Sequence, residues 1–220
     1  MTRNIIKAPS VNDQVYEQLR HQIRIGKISP GKKTTLREIA DGFGVSTTPV
    51  REAVRRLQAE NFLRVEHRSV TIKKLSQDEV KKTFAIRQRL ETLAIEWALP
   101  HIRKVDLNNL QLILKQMDKS PISYSEWQQL NRTFHLQIYQ FANSQQLYQL
   151  IENVWDTVIP YMHIFSIEVD SYEESQIEHY SMLKLIEERN IDELIALLTK
   201  HLEQTCQTIL VALEREGTNL

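Results

Sequence analysis

The sequence predicts a mainly α protein with one short β-hairpin in its N-terminal third. Three observations carry that expectation. First, the 220 residues include only five glycines, and none lies between Val45 and Glu216. Tight hairpins and phosphate-cradling loops draw on glycine for positive φ or close backbone approach, so a long run without it favours helices joined by short polar turns. The same run removes the dinucleotide fingerprint and the P-loop from consideration. Second, residues 11–60 carry apolar stripes of helical period separated by turn words, and two short runs of strand character follow. Third, charge is segregated. Lys plus Arg and Asp plus Glu both total 28, yet residues 1–75 hold 15 basic side chains against 7 acidic, and residues 76–220 hold 13 against 21. A neutral total made from a segment of +8 and one of −8 points to nucleic-acid contact by the basic part.

Composition excludes several classes. With 41% hydrophobic and 25% charged residues the chain is an ordinary globular protein. No apolar run approaches the roughly 20 residues that span a bilayer. Met1 to Ser10 lacks the apolar segment of a secretory signal, so no membrane partner and a cytoplasmic location are expected. Cys206 stands alone, which rules out an internal disulfide and a cysteine-rich zinc site. It reads as a small buried hydrophobe in a late helix.

The elements follow in order. Residues 11–27 place Val15, Leu19 and Ile23 on one helical face, and Ser29-Pro30-Gly31 ends that helix. Thr35 caps a short helix over Leu36 to Ala40, with Glu38 completing a capping box. Asp41 to Gly44 make a turn. Ser46 or Thr47 caps the next helix, whose first turn accommodates Pro49 and whose buried face is Val50, Ala53, Val54 and Leu57. Phe62 to Glu66 and Val70 to Lys73 then form a hairpin around His67-Arg68-Ser69. Helix, tight turn, helix, hairpin is a winged helix-turn-helix. Its second helix enters the major groove with N-terminal side chains near base edges. Arg55 and Arg56, projecting from other faces, are expected to meet phosphates or solvent.

Residues 76–220 read as an all-α bundle, with helices over 76–99, 105–119, 123–142, 144–166, 171–189 and 191–215. Pro100, Pro121 and the Ser171 region mark boundaries, and Pro160 should kink the helix that contains it. Five of the seven histidines fall here. Asn131 and His135 are four apart and share a helical face. With His179 and His201 they could converge inside the bundle on a divalent metal. Trp155 and Tyr161 read as packing residues. No Ser-His-Asp or paired-carboxylate arrangement stands out.

Residues 10–75 resemble the DNA-binding domain of the GntR family of bacterial transcriptional regulators. The matching words are Leu36-Arg37-Glu38-Ile39-Ala40, Gly44-Val45-Ser46, Thr48-Pro49-Val50-Arg51-Glu52-Ala53-Val54 and Arg56-Leu57-Gln58-Ala59-Glu60. The resemblance implies that Arg37 and Arg51 contact DNA and that His67 of the wing approaches the minor groove. Thr47, Thr48 and Arg68 complete the expected DNA-binding set. Two positions depart from the family: Thr47 stands where many relatives have Arg, and Arg68-Ser69 where they tend to have Gly.

Residues 76–215 resemble the helical ligand-binding FCD domain of the FadR branch. Arg87-Gln88-Arg89-Leu90-Glu91, Phe134-His135, Asn143, Glu178-His179 and His201 sit where its motifs fall. The resemblance implies a metal site at Asn131, His135, His179 and His201, with Asn131 in place of the usual Asp. Zn or Ni suits three imidazoles. It also points Arg87 into the cavity, where a guanidinium can clamp a carboxylate effector, although a pair with Glu91 at i,i+4 is the competing role. The chain is thus expected to be no enzyme. It should be a transcriptional regulator, a repressor by the commoner pattern, working as a homodimer on a double-stranded operator. Residues 1–75 would bind DNA, and residues 76–220 would bind a small organic acid and dimerise. The alternatives are a metal-dependent helical-bundle enzyme and a DNA-binding dimer that answers to no effector.

Overall fold

The structure, a computed structural model, describes residues 10–25, 27–28, 30–67, 69–165 and 172–218. Its contacts divide into two compact units, Met1–Lys74 and Leu75–Leu220.

In the first unit, helix α1 (Val11–Arg24) starts at Ser10, whose side chain accepts the backbone N–H of Asp13. It stops short of the expected Lys27. Helix α2 (Leu36–Phe43) begins with the expected capping box, Thr35 and Glu38 each satisfying the other's backbone N–H. It ends at Gly44, whose φ of 64° is the left-handed conformation that costs glycine little. Helix α3 (Thr47–Ala59) has Ser46 at its cap position, but that side chain makes no capping hydrogen bond. The three helices bury Val15, Leu19, Ile23, Ile39, Val50, Val54 and Leu57 against Phe62, Val70 and Ile72 of the wing.

The wing has three strands among the described residues. Strands β2 (Leu63–Glu66) and β3 (Ser69–Ile72) form the expected antiparallel hairpin, with Val65 opposite Val70. The two-residue strand β1 (Lys33–Thr34) pairs with the far edge of β3, Lys33 opposite Thr71, giving the order β1-β3-β2. Two residues are too short to show period-two alternation, so the sequence does not reveal this strand.

The second unit comprises helices α4 (Gln77–Ala98), α5 (Lys104–Met117), α6 (Tyr124–Gln140), α7 (Gln145–Phe165), α8 (Glu173–Glu187) and α9 (Ile191–Thr218), with a 3-10 turn at Leu99–His101. Pro160 lies inside α7, and that helix continues past it to Phe165. Helix α4 packs against α6, α7 and α9, and α8 packs against α5 and α9. The buried positions of α4 are Val80, Phe84, Arg87, Glu91, Ala94, Ile95 and Ala98. That spacing of three and four is an ordinary core stripe, except that a charged pair occupies its middle. Helices α6, α8 and α9 show the same exception: Asn131 and His135, Glu178 and His179, and His201 all sit on faces otherwise filled by Phe134, Met182, Leu198 and Leu202. Polar groups placed on core stripes need partners inside the bundle, and those partners define the site.

Candidate DNA-reading surface and metal centre

The first surface is built by α2, α3 and the wing. Thr47, Thr48 and Arg51 fall in the first two turns of α3 and are exposed, while Pro49, Val50 and Ala53 fill the opposite face. Burial of one face therefore fixes which side chains face outward. Arg51 makes no ion pair among the described residues: Glu52 pairs with Arg55 at 3.5 Å, and Glu38 is held by Thr34 and Thr35. Neither acid therefore engages Arg51. Arg37 on α2 is 88% exposed and only 4.0 Å from Asp41, a contact that solvent leaves nearly worthless. His67 sits exposed at the hairpin turn with φ of 53°. Arg68, the sixth residue of the expected set, lies outside the described residues.

Arg56 is exposed, as expected, and is also engaged within its own unit. It bonds Asp13 at 2.9 Å, and its guanidinium lies 3.7 Å from the centre of the Tyr16 ring. Tyr16 in turn donates its hydroxyl to Glu60 at 2.8 Å. Burial, then the hydrogen bond to Glu60, pushes the Tyr16 hydroxyl up to about 12. Arg56 therefore clasps α3 to α1 while its side chain stays half-exposed.

The second site is a buried cluster of three histidines. His135 on α6, His179 on α8 and His201 on α9 each offer a ring nitrogen, and these atoms lie within 4.8 Å of one another. The Nε2 atoms of His135 and His179 are 3.2 Å apart. Two nitrogens bound to one zinc ion at about 2.0–2.1 Å with tetrahedral angles stand about 3.3 Å apart, so the spacing suits a shared ion. The outer nitrogens are engaged. His201 Nδ1 lies 2.8 Å from Glu178, His179 Nδ1 is 3.4 Å from Gln176, and His135 Nδ1 is 3.4 Å from the Tyr139 hydroxyl. Partners on Nδ1 hold the tautomer that leaves Nε2 with its lone pair.

Electrostatics favour neutral rings at His135 and His179. Burial, followed by the charges of His179, His201 and Arg87, holds His135 well below the ordinary histidine range. Burial and His201 do the same to His179. Burial alone would raise Glu178, but the hydrogen bonds and charges of His201 and Lys200 outweigh it and hold the carboxyl low. Glu178 is therefore an ionised acceptor for His201. A metal needs these protonation states: lone pairs on imidazole and a carboxylate behind one of them.

Asn131 provides a further test of fit. It is one turn before His135, and its Oδ1 is buried without a hydrogen-bond partner among the described residues. An orphaned buried acceptor is costly unless something in the site satisfies it, and a cation would do so.

The cluster adjoins a cavity of about 180 Å³ lined by Arg87, Trp127, Asn131, Trp155, Glu178 and His201 among others. One ordered water needs only ~10–15 Å³, so the space admits a small molecule. Arg87 is 3% exposed and gives its Nε to Glu91 at 2.8 Å, while its Nη1 is buried with no hydrogen-bond partner among the described residues. Both roles weighed for Arg87 are compatible, since the pair with Glu91 leaves one end of the guanidinium over. Trp155 is more than packing. It lines the cavity, donates Nε1 to Glu91 at 2.8 Å, and lies 4.2 Å from the Arg87 guanidinium. Tyr139 donates to the second Glu91 oxygen at 2.5 Å. The sequence expectation lacked Glu178, Tyr139 and Trp155 as members of the site. Their available signal was position: Tyr139 is one turn beyond His135, and Glu178 precedes His179.

Comparison with known proteins identifies this two-part arrangement. Residues 11–72 match the family described as bacterial regulatory proteins, gntR family, and residues 82–204 match the FCD domain. The chain belongs to the GntR family and carries an FCD domain. The FadR-like branch fits this pairing. The GntR-family regulator McbR of Escherichia coli K12 is 31% identical over 183 residues, covering 81% of this chain and 82% of that protein. The transcriptional regulator YdhC of Bacillus subtilis is 28% identical over 211 residues, covering 94% of each chain. The transcriptional repressor RspR of E. coli K12 is 26% identical over 204 residues, covering 90% and 89%. A solved structure of E. coli McbR superposes with a TM-score of 0.82 at 26% identity, over 91% of this chain and 97% of that one. This GntR protein is therefore a DNA-binding transcriptional regulator and not an enzyme. Among its described residues, no helix is long and apolar enough to cross a membrane.

Proposed function

We propose that this regulator binds a two-fold symmetric operator as a homodimer, represses from it, and is tuned by a small carboxylate that binds beside a divalent metal. Residues 1–75 read the DNA, and residues 76–220 take the effector and dimerise. Paired recognition helices suit half-sites one helical turn apart, and closed two-fold dimers are the commonest oligomers. In this reading Arg37, Thr47, Thr48, Arg51, His67 and Arg68 contact the operator. The exposed, unpaired Arg51 supports its role, because a guanidinium free of protein acceptors can bond guanine O6 and N7 bidentately. The repressor RspR is a relative of similar length, which supports repression as the sign.

One observation carries the effector reading. His201 of the histidine cluster, Asn131 with its oxygen and Arg87 with its Nη1 unbonded among the described residues all border one cavity. Unsatisfied buried groups of opposite polarity call for a ligand that is anionic toward Arg87 and a cation toward Asn131. His135, His179, His201 and Asn131 would hold the ion, with Zn or Ni suited to three imidazoles. The metal would supply positive charge that fixes a carboxylate. The acid shifts operator affinity only as far as its affinities for the DNA-competent and incompetent states differ.

The test is a gel-shift assay on the DNA upstream of the regulator's own gene, with a panel of small carboxylates, with and without chelator. Sequence-specific retention that one acid alters, and that chelator makes insensitive to the acid, is expected. Specific retention that no acid or chelator changes would favour a dimer without an effector. Retention without sequence preference at moderate salt would overturn the operator reading.

A further inference from the structure

We propose that the metal and the carboxylate bind this chain cooperatively, each raising the affinity of the other, because Asn131, His135, His179 and His201 bring no negative charge to the ion. The inference rests on the metal-and-acid reading above and concerns how the two ligands depend on each other.

The donor chemistry requires it. Three imidazoles and one carboxamide are neutral ligands, so a divalent ion held by them keeps its full charge inside the bundle. The acids that border the site are already committed. Glu178 accepts from His201 at 2.8 Å and lies 3.2 Å from Lys200. Glu91 accepts from Arg87, Trp155 and Tyr139. Asp156 lies 3.1 Å from Arg132. Glu178, Glu91 and Asp156 thus each face a cation, and Glu174, which also lines the cavity, accepts from Gln204 at 2.9 Å. Transfer of an uncompensated ion into a buried site is costly, and an anion in contact with it offsets that cost.

The cavity offers the place for such an anion. It is lined by His201, Asn131 and Arg87, and Arg87 Nη1 has no hydrogen-bond partner among the described residues. A hydrogen-bond chain also joins the two halves. Arg87 Nε bonds Glu91, Glu91 accepts from Tyr139, and the Tyr139 oxygen faces His135 Nδ1. His135 ligating through Nε2 carries its proton on Nδ1, which then donates to Tyr139. Both arms of the chain donate toward Glu91, which holds Arg87 and His135 in register. Each ligand therefore finds the other's contacts preorganised. By linkage the gain must be the same in both directions, and couplings of this kind are commonly on the order of 5- to 150-fold.

The test uses the full-length protein stripped of metal. Zn2+ is titrated against a colorimetric chelator in sodium perchlorate, a weakly coordinating medium, and again in sodium acetate at equal ionic strength. A protein-free control corrects for zinc acetate. We expect zinc to bind at least tenfold more tightly in acetate. Calorimetry should show acetate binding strengthened by the same factor when zinc is present. Asn131→Asp supplies the missing charge with nearly the same shape. It should tighten zinc binding in perchlorate and reduce the acetate effect below about threefold. Zinc binding that is equal in the two media would overturn the proposal while leaving the metal site standing. A full acetate effect retained in Asn131→Asp would overturn it too. Failure of the wild type to bind zinc in either medium would remove both the metal site and the coupling.

Discussion

Glu91 accepts three hydrogen bonds in the core of the bundle, and the one from Arg87 Nε, 2.8 Å long, joins two side chains that are 0% and 3% exposed. A charge buried this deeply is stable only while its partners are complete. Replacing Glu91 by Ala would strand the Arg87 guanidinium and remove the acceptor of Trp155 and Tyr139. Breaking one member of a buried pair commonly costs about 3–5 kcal/mol. We expect Glu91→Ala to lower the unfolding free energy of the bundle by roughly that amount, measured by urea denaturation. Glu91→Gln, which keeps an acceptor, should cost less. Equal losses in the two variants would mean that packing, not charge, dominates here.

Arg51 and Arg56 lie five residues apart on α3 and should behave oppositely. Arg51 is exposed and makes no ion pair among the described residues. Arg51→Ala should weaken operator binding by about 1–3 kcal/mol, the range of a bidentate base contact, and leave stability unchanged. Arg56 is tied to Asp13 and Tyr16. Arg56→Ala should cost up to about 1 kcal/mol of stability, as half-exposed pairs do, with a smaller effect on DNA. Fluorescence anisotropy on labelled operator, alongside urea unfolding, reads both. A loss of affinity from Arg56→Ala matching that from Arg51→Ala would contradict the division.

The histidine cluster makes a prediction about composition. Protein purified without chelator should contain close to one equivalent of divalent metal per chain by elemental analysis. The double variant His135→Ala with His179→Ala should contain little. A ligand at 100 times its Kd stabilises a fold by about 2.7 kcal/mol, and a chain of this size gains about 2–4 °C per kcal/mol. Chelator should therefore lower the melting temperature by about 5–10 °C in the wild type and not in the double variant. Metal content unaffected by the two substitutions would sink the assignment.

How legible these features were in the sequence depends on the range of the interactions that fix them. The capping box at Thr35 and Glu38 and the buried faces of α1 and α3 are set by residues three or four apart, so spacing reveals them. Strand β1 is set by pairing with Val70 and Thr71, far along the chain, and two residues carry no periodic signal. In the bundle, Asn131 and His135 could be read as neighbours because one helix turn separates them. Their meeting with His179 and His201 depends on how α6, α8 and α9 are rotated against one another, which spacing within a helix does not encode. The family resemblance bridged that gap. It did not extend to Trp155, which bonds Glu91 from α7, or to Tyr139, which bonds it from α6. Those contacts are made across helices and look like core packing when seen along one of them.

Glu178 allows a test confined to the support of a ligand. It accepts from His201 Nδ1 at 2.8 Å and is 7% exposed, with Lys200 at 3.2 Å as its other neighbour. A carboxylate behind a ligating histidine orients the ring and raises its basicity, and losing such a partner typically costs 10- to 100-fold in metal affinity. Glu178→Gln keeps the size and one acceptor oxygen but loses the charge. It should weaken zinc binding by that factor in a chelator-competition titration. His201→Ala, which removes a donor itself, should weaken it further. Combining the two should add little, because Glu178 acts on the ion through His201, and side chains that share one partner are non-additive. If Glu178→Gln weakened zinc equally in the presence and absence of His201, the carboxylate would be acting on the ion by its charge alone.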